Sequence, residues 1–304
     1  MIALSCRLLR CLPVLSALAA AVVAVLAPEP GRGAELAQEP VAPVYRPFRI
    51  VSYNVMLGLG YRLQMELGTV HGPGLARSLA AHKALRQPQV LGLQEVCVSA
   101  GPQLTYLIEA MRKAHGGAKI YSAYATDGRE LDLNCSNAQV TLSPYPILAS
   151  GRFEFPLLSW RNAALWTDLD ITGVAAHWNQ DNRIRIYNLH LINRVGSTMQ
   201  VEGARWTQVQ ALLTHYRQFQ AAHPQTPVVW LGDFNSLGNL LHPWRQELAI
   251  RKLSELFIPS LRVYRPTHAL LQQVDWIFAD RLTPLQSRVV FLPYSDHFPV
   301  VADY

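Results

Sequence analysis

The sequence predicts an α/β domain, and three observations predict it. From Phe48 onward, short apolar runs of strand length alternate with stretches whose apolar residues recur at helical spacing. The 304 residues are 50% hydrophobic and 16% charged, a globular balance that excludes a disordered or collagen-like chain. Polar residues capable of chemistry stand directly after several of the apolar runs. That recurrence is expected where strand ends converge at the rim of a sheet.

Taken in order, Phe48-Arg49-Ile50-Val51-Ser52-Tyr53 is a strand that leads into Asn54. Residues 75–85 predict a helix with Leu75, Leu79, Ala80 and Leu85 on one face, ended by Pro88. Val90-Leu91-Gly92-Leu93 is a buried-type strand that ends at Gln94-Glu95, and residues 104–114 predict a second helix. Strands follow at residues 138–142, 163–169 and 184–191. Residues 205–219 are an amphipathic helix with Trp206, Val209, Leu212, Leu213 and Tyr216 on its stripe. Val228-Val229-Trp230-Leu231 is a strand before Gly232-Asp233. Residues 274–278 and 289–292 are strands, with a last one after Pro299.

The first residues read differently. Arg7 and Arg10 precede an apolar stretch, Cys11 to Ala27, which Pro28, Pro30, Gly31 and Gly33 break. Charged, apolar, then small is the order of a secretory signal. The stretch is shorter than the roughly 20 residues that span a bilayer. Residues 1–37 are therefore expected to be a signal peptide and the start of a linker, residues 38–47 the linker, and residues 48–304 one domain. A secreted or periplasmic location follows; the alternative is a chain anchored to the membrane by an uncleaved segment. Removing residues 1–37 takes away Arg7, Arg10, Arg32, Glu29 and Glu35 and leaves the net charge at +5, against +6 for the whole chain. A basic chain favours anionic partners such as nucleic acid, phospholipid headgroups or polyphosphate. No stable protein partner is expected, and the chain is expected to be a monomer.

Six short segments carry chemistry. In Gly232-Asp233-Phe234-Asn235, Asp and Asn stand two apart off a strand end and can point the same way. Asp can take a proton, and Asn can donate to a phosphate oxygen; the plain alternative is an Asx turn. In Ser295-Asp296-His297, a histidine beside a carboxylate is a candidate base, against a surface Asp-His pair. Asp275, inside an apolar strand, needs a partner, and a protonated histidine is a natural one. Glu95 ends a very apolar strand and suits a hard cation such as Mg2+. Asn54 can offer a carbonyl near that cation or a donor to phosphate. His190 interrupts an otherwise apolar strand, where a lone histidine is commonly a satisfied core residue.

The order of the segments is more specific than any one of them. Tyr53-Asn54, Leu93-Gln94-Glu95, Asn188-Leu189-His190-Leu191, Gly232-Asp233-Phe234-Asn235, Val274-Asp275-Trp276-Ile277 and Ser295-Asp296-His297 together resemble the signature of the deoxyribonuclease I-like endonuclease/exonuclease/phosphatase superfamily. The resemblance runs from Phe48 to the C-terminus. Asn137-Ala138 and Leu142-Ser143-Pro144-Tyr145-Pro146-Ile147 are similar to its central strand motif, with Pro144 where the family commonly has an arginine.

The resemblance implies a four-layer sandwich, two facing mixed β-sheets flanked by helices, with the site at one end. It implies a metal-dependent phosphoric ester hydrolase in which Glu95, with Asn54 and Asp296, holds Mg2+ or Mn2+. Asp275 would orient His297; His297 or Asp233 would activate water; Asn235 and His190 would bind the phosphate, His190 also serving as acid to the leaving group. His190 resembles the deoxyribonuclease, sphingomyelinase, deadenylase and inositol-phosphatase branches. The Trp-Cys-Asp-Arg element of the inositol polyphosphate 5-phosphatases is replaced by Val274-Asp275-Trp276, and deadenylases are intracellular. An exported nuclease is the first expectation, and a sphingomyelinase or phospholipase C-type enzyme the second. A catalytically inactive binding module on the same fold is the third. Arg183, Arg185 and Arg194 could meet a polyanion, and Trp160, Trp166, Trp178 and Trp244 are candidates to stack on bases or enter a membrane interface. With Cys6 and Cys11 removed, Cys97 and Cys135 remain, and the resemblance places both near the site rim, where they would form a disulfide or stay two separate thiols.

Overall fold

Along Arg49–Asn54 (β1), every residue after Arg49 is buried, so the strand is covered on both faces. The same holds along Arg183–His190 (β7), and Val90–Cys97 (β2) and Gln273–Asp280 (β10) are buried but for half-buried Glu95 and Asp280. Two sheets, each covered again on its outside by helices, satisfy that demand. The computed structural model describes residues 47–55, 72–99, 103–131, 135–156, 163–173, 181–193, 198–238 and 246–304. Among these, the remaining strands are Tyr121–Leu131 (β3), Cys135–Ser143 (β4), Ile147–Glu154 (β5), Ala163–Asp170 (β6), Val228–Gly238 (β8), Ile258–Pro259 (β9), Gln286–Val289 (β11) and Val300–Asp303 (β12). The helices are Gly72–Ala81 (α1), Gln103–Ala114 (α2), Thr198–Ala222 (α3) and Leu248–Leu256 (α4).

One six-stranded sheet has the order β11-β12-β1-β2-β4-β3 and the other β5-β6-β7-β8-β10-β9. Each is mixed: β1 pairs parallel with β2, and β7 parallel with β8, while their neighbours are antiparallel. The layers follow from strand alternation. Ile50, Val90, Ile184, Ile186, Val229, Leu231, Ile277, Val300 and Ala302 meet between the sheets. Val51, Tyr53, Leu91 and Leu93 face outward to Leu75, Leu79, Leu107 and Met111 of α1 and α2. Tyr187, Trp230, Trp276 and Phe278 face Val209, Leu212, Ile250 and Leu253 of α3 and α4. Gly92 leaves room for Leu231 of the facing sheet: a Cβ there would lie 2.1 Å from Leu231 Cδ1. This is the four-layer α/β sandwich that the resemblance implies.

Three of the expected elements differ most in their bounds, and β3, β5, β9 and α4 are elements the sequence pattern does not predict. The strand expected at residues 289–292 lies at Gln286–Val289, because Val290 and Leu292 are buried by packing under α1 and α2 and not by strand pairing. The first helix stops at Ala81, where the backbone folds into turns in which the Ala84 N–H donates to His82 Nδ1. The helix expected at 205–219 is longer, Thr198–Ala222. Residues 1–46, which hold the expected signal segment and all but the last residue of the expected linker, lie outside the described residues.

Candidate active site

Alternation along the central strands brings polar side chains together between the sheets at one end. On β1 the positions in phase with Ile50 are Ser52 and Asn54; on β7, in phase with Ile186, they are Asn188 and His190. On β8 Asp233 follows Val229 and Leu231, and on β10 Asp275 precedes Ile277 and Ala279. The aliphatic core therefore passes into an amide floor and then into acids and imidazoles. In the floor, Gln94 Nε2 donates to Asn188 Oδ1 (2.7 Å), and Asn188 Nδ2 donates to the carbonyls of Leu93 (3.1 Å) and Val140 (2.9 Å). These bonds tie the sheets together beneath the site.

Glu95 does not follow the alternation. Continued pleating would send it outward with Leu91 and Leu93. The β2–β4 register shifts between Leu93 and Val96, and Glu95 has φ 59°. Such a bulge re-aims a side chain, and here it turns the Glu95 carboxylate inward. Asn54 Nδ2 donates to Glu95 Oε1 (3.3 Å) and to Asp233 Oδ2 (3.0 Å). His190, fully buried, has Nε2 3.3 Å from Asp233 Oδ2 and 3.5 Å from Glu95 Oε1. Asn54 and Glu95 from one sheet thus meet His190 and Asp233 from the other.

The segment Gly232-Asp233-Phe234-Asn235 forms the Asx turn, with the second Asp233 oxygen turned toward Asn54 and His190. Asp233 Oδ1 accepts the N–H of Asn235 (2.8 Å), an Asx turn, while Oδ2 faces the site. Asn235 takes φ 49°, and its Nδ2 donates to the Leu191 carbonyl (2.9 Å). Gly232 has φ 141°, and a Cβ there would lie 2.0 Å from the Leu189 carbonyl oxygen. Only glycine lets β7 and β8 approach so closely where His190 and Asp233 stand abreast.

His297 is buried, so it is not a surface histidine. Its Nδ1 lies 2.8 Å from Asp275 Oδ2, and its Nε2 lies 3.8 Å from Asp233 Oδ2 and 3.9 Å from Asp296 Oδ1. Burial alone would lower its pKa, but Asp275, Asp233 and Asp296 push it up to about 10. Burial raises the Asp275 pKa to about 6, against the pull of His297. At neutral pH the two form a buried imidazolium–carboxylate pair. Ser295 supports the segment: its hydroxyl donates to the Asn54 carbonyl (2.8 Å) and accepts the His297 N–H (3.1 Å).

Two further contributors carry no sequence signal, and Ser295 belongs to the Ser295-Asp296-His297 motif without a role of its own in the sequence. Thr267 Oγ1 accepts the N–H groups of Val274 and Asp275, both at 3.0 Å, and so fixes the start of β10. His268 Nδ1 accepts the Leu270 N–H (3.1 Å), which places the proton of the neutral ring on Nε2, 3.2 Å from Asp296 Oδ2. Its ring packs edge-on to His297 at 4.8 Å. Thr267 and His268 lie in a stretch without periodicity, and no spacing marks them.

Other expectations move. Arg185 is buried in a bidentate pair with Asp168 (2.6 and 2.7 Å), under Phe219, and Arg183 lies 3.7 Å from the same carboxylate. Both open β7, with Arg185 roughly 17 Å along the strand from His190. They do not serve the site. Arg194, Trp160, Trp178 and Trp244 lie outside the described residues, and Trp166 is half-buried against Arg185. Cys97 is in a disulfide. Cys135, its expected partner, opens β4 with a side chain outside the described residues.

Four carboxylates (Glu95, Asp233, Asp275 and Asp296) face His190 and His297, so the group is net negative even with both rings protonated. Such a cluster suits a divalent cation. Asp233, Asp275 and His297 offer ligand atoms within 4.8 Å of one another, as do His268, Asp296 and His297. The first trio is already joined by the His297–Asp275 hydrogen bond and reads as an acid–base relay. Asn54, Glu95 and Asp296 carry side-chain oxygens of the kind a hard cation takes, and Asn54 Nδ2 lies 3.3 Å from Glu95 Oε1.

The family model for the endonuclease/exonuclease/phosphatase family matches residues 51–297, and the chain belongs to that family. Solved structures share the fold. An endonuclease/exonuclease/phosphatase from Beutenbergia cavernae superposes with a TM-score of 0.64 at 20% identity, over 85% of this chain and 71% of that one. The human Nocturnin catalytic domain with bound sulfate gives 0.59 at 17%, over 85% and 93%. SmcL gives 0.58 at 16%, over 84% and 98%. No curated protein sequence matches the chain.

Proposed function

We propose that the chain is a divalent-metal-dependent phosphodiesterase. The observation that carries this is the meeting of Asn54 and Glu95 from one sheet with His190, Asp233 and Asp275 from the other, around the buried His297. Asn54, Glu95 and Asp296 would hold the cation. When bound, Mg2+ or Mn2+ polarises a phosphate oxygen and neutralises charge on the leaving oxygen. Asp275 holds the His297 ring with Nε2 toward the reacting centre. Protonated between its carboxylates, His297 binds the phosphate or donates to it, which leaves Asp233 to take the proton from the attacking water. Asn54 and the Asn235 N–H orient the Asp233 carboxylate for that task. The water oxygen bonds to phosphorus, the bond to the leaving oxygen breaks, and His190 Nε2 would return a proton to it. Asn235 is the further phosphate contact.

Two substrate classes fit this chemistry: nucleic acid, the first expectation from sequence, and a phospholipid headgroup. The nuclease reading loses the support of Arg183 and Arg185, which are paired elsewhere. The N-terminal segment supports export. The test is hydrolysis by the purified full chain of plasmid DNA, single-stranded RNA, sphingomyelin and a soluble phosphodiester, each with Mg2+, Mn2+ or EDTA. EDTA-sensitive hydrolysis is the expected outcome, and His297→Ala or Asp233→Ala is expected to lower it by about 10²–10⁴-fold in folded protein. Ligand binding without hydrolysis under all conditions would replace this reading with that of an inactive binding module.

A further inference from the structure

Residues 267–272 form a short hairpin, entered through residues 262–266, whose base is built into the site. The Thr267 and His268 N–H groups both donate to the Gln272 carbonyl (2.8 and 3.0 Å), and the Leu271 N–H donates to the His268 carbonyl (2.9 Å). The Ala269 N–H donates to the Asp296 carbonyl (2.7 Å), the Phe298 N–H to the Thr267 carbonyl (2.7 Å), and the His268 ring touches Asp296. The turn is therefore held rigidly beside Asp296 and His297.

Its tip breaks two ordinary rules. Leu270 is 72% exposed and Leu271 58% exposed, side by side. Leu271 also has φ 57°, in the left-handed region that glycine or asparagine adopts readily and leucine does not. A glycine or asparagine would make a better turn and a more soluble surface. Departures of this kind from local preference concentrate at functional sites. Beside the tip, the Tyr264 hydroxyl donates to the Leu271 carbonyl, and this joins the turn to a second exposed stretch. There Val263 is 61% exposed, between the exposed Arg262 and Arg265. No acidic residue occurs from Arg262 to Gln273. An apolar tip with a cationic flank is complementary to a phospholipid surface: leucines enter the acyl boundary while guanidiniums stay among phosphates. A nucleic acid would use the arginines but has no use for two exposed leucines.

We propose that this hairpin docks the active site onto a phospholipid bilayer and that a membrane phospholipid headgroup is the substrate class. The docking surface stands on its own geometry, whereas the substrate class rests on the phosphodiesterase reading above. The test compares the full chain with the variant L270S/L271N, in which asparagine suits the left-handed position and so preserves the turn. Both proteins carry the same N-terminus, so a difference between them belongs to the hairpin. Sedimentation with phosphatidylcholine vesicles, with and without phosphatidylserine, should give about tenfold or more weaker binding for the variant. R262S/R265S should lose the part of binding that depends on phosphatidylserine. On a soluble phosphodiester, all three proteins should act at equal rates, whereas on sphingomyelin or phosphatidylcholine vesicles L270S/L271N should be slower by the same factor as its binding. Equal vesicle binding by wild type and L270S/L271N overturns the docking surface. Loss of DNA or RNA cleavage in that variant, with vesicle binding unchanged, reassigns the hairpin to nucleic acid. A change in the variant's oligomeric state alone reassigns it to a contact between copies. A vesicle-binding defect in a protein that hydrolyses nothing upholds the docking surface and removes the substrate class together with the phosphodiesterase reading.

Discussion

His297 owes its charge to its neighbours. Asp275 is the largest cause that raises its pKa, so Asp275→Asn should lower that pKa markedly. NMR titration of the metal-free protein should find the wild-type ring still protonated at pH 8 and the variant ring titrating earlier; the same midpoint in both would remove Asp275 as the partner. The sign carries into stability. The folded pKa of about 10 lies above the ordinary value of 6.5, so the stabilisation is full below 6.5 and is lost as pH rises through 10. Asp275 has its own midpoint near 6, below that window. In EDTA, Tm should therefore fall from pH 7 to pH 10 more steeply in wild type than in His297→Gln. His268 acts through a different residue. Its Nε2–H holds Asp296, so His268→Phe should weaken Mg2+ binding by about 10–100-fold, while His268→Gln, which keeps a donor, should recover most of it. Calorimetric Mg2+ titration reads this directly, and equal affinity in all three proteins would make His268 a packing residue only.

Strand ends explain how much of the site was legible. The apolar runs of β1, β2, β7, β8 and β10 are long, and each delivers its polar residue at or near the end that meets the others, so Asn54, Glu95, His190, Asp233 and Asp275 stand out by contrast. Three things do not register in a linear pattern. The bulge that turns Glu95 inward depends on β4 pairing, which is a long-range event. Edge strand β5 has mostly exposed residues and no core face to give it a period. His268 reaches the site through a hairpin held by Thr267 and Asp296, residues on separate elements. Gly232 is the reverse case, a residue readable as part of a motif whose physical reason needs the structure. Gly232→Ala would place a Cβ against the Leu189 carbonyl oxygen at an unfavourable φ. It should cost about 3 kcal/mol or more in urea unfolding and separate His190 from Asp233. An alanine variant of wild-type stability would show that β7 and β8 have slack there.

Among the described residues, two sheets meet at one end in a polar cluster that repels itself. Asn54 and Glu95 belong to one sheet, and His190, Asp233 and Asp275 to the other, so the charges that make the site sit across the layer interface. Four carboxylates against two imidazoles leave that end net negative, and a site of this kind is held at some cost in stability until a cation neutralises it. The two effects separate in one variant. Glu95→Gln keeps the side-chain oxygen that accepts from Asn54 but removes a charge. In EDTA its Tm should be above that of wild type. In Mg2+ the order should reverse, because a cation bound only to the native state adds about 2.7 kcal/mol at a hundred times its Kd, roughly 5–10 °C for a domain of this size. Wild type should gain that rise and Glu95→Gln should not. If the variant melts lower in EDTA and still gains from Mg2+, the glutamate is a structural hydrogen-bond partner and the cation sits on other residues. If neither protein responds to Mg2+ or Mn2+, the cluster is balanced by protons on its own histidines, and the metal-dependent reading of the site falls with it.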